Sequence, residues 1–114
     1  MSTVIRQPIN DDYEYIQYNK QLRVIHSIYD DTYQIQSIIT ACKSNRRANE
    51  WVRNRDTQEL LKTFEHDKDL MGTLPLDNRI NVPNELKGYY VHRLLVNAVA
   101  MWASPRYALN IFKM

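Results

Sequence analysis

Between residues 43 and 62, Lys43, Arg46, Arg47, Arg53, Arg55 and Lys62 stand against only Glu50, Asp56 and Glu59. Arginine at that density suits a polyanion. Its planar guanidinium grips two phosphate oxygens, or the outer edge of guanine, where lysine offers a point charge. Read as a helix over residues 46–54, the segment puts Arg46, Asn49 and Arg53 along one face, with Trp51 turned to the core. Asn49 has the amide needed to read adenine, and Lys43 and Lys62 would be peripheral phosphate contacts. Arg93 and Arg106 are weaker candidates, each beside an expected helix start. A plain solvated helix surface would account for the same residues without any ligand.

Other chemistry is poorly served. His26, His66 and His92 are scattered, and Cys42 is the sole cysteine, so neither a metal site nor an internal disulfide is expected. Cys42 reads as a buried structural thiol. Asp30-Asp31 and the Asp67/Asp69 pair sit in turn-like sequence, where aspartate caps backbone. Phosphate loops and nucleophile elbows are missing, so neither an enzyme nor a cofactor is expected.

The charge distribution sharpens the cationic reading. Net charge is only +2. Residues 1–42 balance at −2, residues 43–62 at +3, residues 63–87 at −2 and residues 88–114 at +3. Basic blocks fall on expected helices and acidic blocks on strands and loops, as in a chain that meets a polyanion on one side.

The elements that must hold these side chains follow from periodicity. The 114 residues suffice for one core. Residues 1–12 read as a flexible polar arm, not a signal peptide. Tyr13–Tyr18 suits a strand, Asn19–Gln21 a turn, and Leu22, Val24 and Ile28 one face of a second strand. Asp30–Thr32 turns the chain into Tyr33–Ile35, and a short helix over 36–43 should pack Ile38, Ile39 and Cys42. Asp56 and Glu59 look like a capping box before Leu60, Leu61 and Phe64. Residues 67–87 read as an irregular loop. Gly88–Val91 suits a last strand, and Leu94, Leu95, Ala98, Val99 and Trp102 form a helical stripe. Ser104-Pro105 starts a further helix with Tyr107, Ala108, Ile111 and Phe112 inward. The expected class is α+β, a small antiparallel sheet packed with four to five short helices.

The closing segment, with Gly88, Tyr90, Val91, His92, Met101, Trp102, Ser104, Pro105 and Ala108 in order, resembles the end of a KilA-N domain, a DNA-binding module of large DNA viruses and bacteriophages. The run Trp51–Leu60 resembles that family's Trp-centred basic helix and polar turn. The likeness covers residues 22–114. It departs at Arg93, where the family usually has proline. The resemblance implies a domain over residues 13–114 that binds double-stranded DNA, mainly at phosphates. It also implies an intracellular viral setting, in the host cytoplasm rather than the nucleus, with no membrane association. Two rivals stay open at this point. One is a viral adaptor that binds a host protein through the same fold. The other is binding of RNA or single-stranded DNA through tyrosines exposed on the sheet.

Overall fold

Alternation of tyrosine with polar residues from Tyr13 onward makes the longest strand of a sheet that orders the whole chain. The computed structural model describes residues 4–19 and 22–106. Six strands, β1 (Ile5–Pro8), β2 (Tyr13–Asn19), β3 (Leu22–Ser27), β4 (Thr32–Gln34), β5 (Leu76–Arg79) and β6 (Gly88–His92), lie in the order β1-β2-β3-β4-β6-β5. Every neighbouring pair is antiparallel. The helices are α1 (Ile35–Ala41), α2 (Ala48–Arg53), α3 (Arg55–Glu65) and α4 (Val96–Ala103). The α+β expectation holds.

The main core lies between one sheet face and the helices. Ile35, Ile38, Ile39 and Cys42 recur at helical spacing along and just beyond α1 and meet Val24, Val91, Val99, Leu61 and Phe64. Trp51, 2 % exposed, anchors α2 there. Ser37 ties α1 to the sheet, its hydroxyl donating to the Gln34 carbonyl (2.9 Å) and accepting from the Ile25 amide (2.9 Å). A second cluster, Tyr13, Ile25, Leu86 and Tyr90, fills the opposite face.

Several expectations need correction. Residues 1–12 contain β1, which pairs with β2 from Ile5↔Gln17 to Pro8↔Glu14 and forms one sheet edge. The loop at 67–87 contains β5. The segment after β5, with Val82 and Leu86, folds over the second sheet face, held by Gln34 Nε2 donating to the carbonyls of Glu85 (2.9 Å) and Lys87 (3.0 Å) and by Tyr90 Oη donating to that of Leu86 (2.7 Å), while Leu70 packs against the main core. The two Gln34 bonds span about fifty residues, so local periodicity carries no trace of them. Ile28 lies past β3 and is 47 % exposed, and Leu94 is 56 % exposed because a tight 3₁₀ turn, Arg93–Leu95, precedes α4. Pro105 and Arg106 are helical, while Tyr107, Ala108, Ile111, Phe112 and the turn residues Lys20 and Gln21 lie outside the described residues.

Candidate nucleic-acid interface

The basic residues of the middle block do not lie on one helix. α2 begins at Ala48, so Arg46 and Arg47 belong to the corner between α1 and α2, with Arg47 at the N-cap. The corner starts with a tight stop. Lys43 takes a left-handed conformation (φ 56°), its amide donates to the Thr40 carbonyl (2.9 Å), and the Ser44 amide donates to that of Ile39 (3.2 Å). This is the Schellman arrangement, whose left-handed position glycine usually fills. Ser44 Oγ then accepts from the Arg46 amide (3.2 Å).

Gln36 on α1 spans the corner. Its Nε2 donates to the Arg46 carbonyl (3.3 Å) and its Oε1 accepts from the Ala48 amide (3.0 Å). The Arg46 guanidinium lies over the Trp102 ring of α4, 4.6 Å from its centre. Trp102, expected as plain core, is half-buried and partly a seat for that cation.

Asn49 and Arg53, four residues apart on α2, share an exposed face away from Trp51. The next helix starts at Asn54, not at the expected Asp56 box. Asn54 Oδ1 accepts from the Asp56 amide (2.9 Å), and Asn54 is extended, which breaks the chain into two helices. Arg55 opens α3 and pairs with Glu59 (3.8 Å), and Lys62 is exposed in its last turn. Arg93 pairs with Asp31 (3.7 Å) on the β3–β4 turn, so its charge is shared with an acidic segment. Arg106 is exposed, four positions beyond the Trp102 seat.

Thus Arg46, Arg47, Asn49 and Arg53 gather around the α1–α2 corner and α2, with Lys43 at its start and Arg55 and Lys62 continuing along α3. Among the described residues, Arg47 and Arg53 take part in no ion pair. All nine expected contact residues are exposed. Sequence reasoning missed Gln36, because its partners lie ten and twelve positions away and a glutamine on a short helix carries no local signal.

The described residues contain no group of three or more His, Cys, Asp or Glu side chains arranged to hold a metal ion. His26 is buried, with Nδ1 2.6 Å from Glu14 and Nε2 2.7 Å from Asp31. His92 Nδ1 accepts from the Leu94 amide (3.2 Å), capping the turn into α4. Cys42 is fully buried, and burial pushes its thiol up to about 11. Tyr13 and Tyr90 are buried, and Tyr15 lies under the Arg23 guanidinium (3.7 Å) and donates to Glu85 (2.6 Å). They offer no open stacking platform for a single strand.

An antiparallel sheet with a helical layer on one face and arginines around a helical corner defines a small α+β domain of the kind that meets nucleic acid. The family model for the KilA-N domain matches residues 16–114, and the chain belongs to that family. This is a DNA-binding domain family, not a catalytic one. No curated protein and no solved structure gives a significant match.

Proposed function

We propose that this domain binds duplex DNA mainly through the phosphate backbone, using the α1–α2 corner and the exposed face of α2. The observation that carries this reading is the exposed run of Arg46 and Arg47 at the α1–α2 corner, whose backbone is tied to α1, followed by Asn49 and Arg53 on the exposed face of α2. Arg55 and Lys62 extend the contact along α3. Lys43, Arg93 and Arg106 add peripheral contacts. Arg55 and Arg93 give up only exposed ion pairs, which are worth little, when a phosphate arrives. Asn49 is the side chain placed to touch a base. The family's occurrence in large DNA viruses and bacteriophages supports a viral setting, and the host cytoplasm is proposed with it.

A second reading, an adaptor for a host protein, is favoured by one observation on another surface. Tyr29 and Ile80, 85 % and 66 % exposed, line an open cleft of about 570 Å³ with Asp12, Asp30 and Asp77. Asp30 and Asp77 are paired there with Arg79, so it is the exposed apolar side chains that suit a protein partner better than DNA.

A salt titration of duplex affinity separates the readings. Neutralising about four to six phosphates gives a slope of log K against log salt of roughly −3.5 to −5.5. Duplex, single strand and RNA are compared at each salt concentration, with duplex expected to bind tightest. Absence of duplex binding, or affinity indifferent to salt, would overturn the phosphate reading and leave the cleft as the functional surface.

A further inference from the structure

Two positions at the corner carry residues that local backbone chemistry does not favour, and both are cations. Lys43 stands at the left-handed end of α1, where glycine is the residue of least cost. Arg47 stands at the N-cap of α2, where serine, threonine, aspartate or asparagine would cap the helix with its own oxygen, and Arg47 makes no side-chain cap. One orphan amide of that helix start is satisfied from another helix instead. Gln36 Oε1 accepts from the Ala48 amide, the first of α2, while Nε2 donates to the Arg46 carbonyl two residues earlier. Only one orientation of the amide satisfies both partners, so donor and acceptor are fixed by the geometry. Local rules tend to be broken at functional sites and compensated elsewhere.

Arg46 is therefore held at three places: its amide by Ser44, its carbonyl by Gln36 and its guanidinium by the Trp102 ring. Arg47 is held through the same clamped peptide run and through its carbonyl, which accepts from the Glu50 amide (3.0 Å). A long side chain on a fixed backbone has less freedom to lose when it meets a phosphate.

We propose that Gln36 is a positioning residue for nucleic-acid binding, its side-chain amide clamping the Arg46–Ala48 backbone so that Arg46 and Arg47 meet phosphates already ordered. The proposal rests on the DNA-binding reading above. Gln36 itself touches no DNA.

The test is a cycle between Gln36→Leu, which keeps bulk but removes both hydrogen bonds, and the pair Arg46→Ala and Arg47→Ala. Duplex affinity is measured by fluorescence anisotropy, and exchange of the Ala48 amide by NMR in the free proteins. Gln36→Leu should bind roughly tenfold more weakly than wild type, given the side chains it frees. It should cost little further in the arginine-less background, and exchange at Ala48 should accelerate. Equal losses in both backgrounds would overturn the positioning role, because a general stability effect does not depend on the arginines. So would faster Ala48 exchange with unchanged affinity, or unchanged exchange. A wild-type protein that ignores duplex DNA fails the DNA reading itself and the proposal with it, and Ala48 exchange then still reports whether the clamp exists.

Discussion

The Arg46 guanidinium rests 4.6 Å above the Trp102 ring, joining the corner before α2 to the end of α4. The contact gives Trp102 two roles, packing against the core and seating a cation. Because Trp102 is only half-buried, Trp102→Ala should cost about 2 kcal/mol, less than the roughly 3–5 kcal/mol expected for fully buried Trp51→Ala. Urea unfolding of the two variants compares the losses directly. A larger loss at Trp102 than at Trp51 would contradict this division of the core.

Lys43 offers a test in which stability and binding move in opposite directions. Its left-handed backbone is costly for a residue with a Cβ, so Lys43→Gly should hold or raise stability by up to about 1 kcal/mol. The same change removes a cation, and the salt slope of DNA binding should become shallower by about one. Thermal unfolding and the salt titration on one sample read both effects. Lost stability with unchanged binding would show Lys43 to be purely structural.

What the sequence disclosed, and what it hid, divides by the range of the interactions. The stripe of Ile38, Ile39 and Cys42 and the strand Gly88–His92 are local patterns, and they appear where periodicity puts them, whereas Ile35, expected in the preceding strand, opens α1. The boundary of α2 is not local. Arg46 and Arg47 have good helix propensity, yet the left-handed Lys43 and the Gln36 clamp hold them outside the helix. β5 was hidden for the same reason. Leu76–Arg79 does not show the alternation of a strand, and its place depends on Arg79, whose guanidinium donates to Tyr13 Oη (3.0 Å), Thr32 Oγ1 (3.1 Å), Asp77 and Asp30. The arginines of the proposed interface are picked out by their types and spacing. The device that orders them is not, because it is contributed by a residue of another helix.

Strong acid should weaken the Arg79 cluster. Burial alone would raise the Asp30 carboxyl, but the Thr32 and Ser27 hydroxyls and the Arg79 charge outweigh it and hold it below its ordinary value. A carboxylate lowered by folding contributes stability that is complete above its unfolded value near pH 4 and is lost as pH falls through the folded value. Asp30→Asn should therefore be less stable than wild type at neutral pH, with the difference shrinking in acid. Unfolding curves from pH 7 down to pH 2 check this, and a gap that widened on acidification would have the wrong sign.

Cys42 should behave as an inert thiol in the folded protein. With the thiol buried and pushed up to about 11, very little thiolate exists at neutral pH. Alkylation by iodoacetamide should be negligible in native buffer and rapid in denaturant. Fast modification of the folded chain would place Cys42 outside the core.

The most direct test of the central claim compares two charge reversals of equal size in duplex binding. One protein carries Arg46→Glu and Arg47→Glu at the corner. The other carries Lys68→Glu and Lys87→Glu, both exposed and outside the basic block. Each pair lowers the net charge by four units; Arg46→Glu also gives up the seat on Trp102, so thermal unfolding of both proteins is measured to show that each is folded. The corner pair should abolish measurable binding, while the control pair should bind within about threefold of wild type, as remote exposed charges are largely screened at physiological salt. Equal losses in the two proteins would contradict the account, because overall charge would then explain the binding without any docking of the α1–α2 corner.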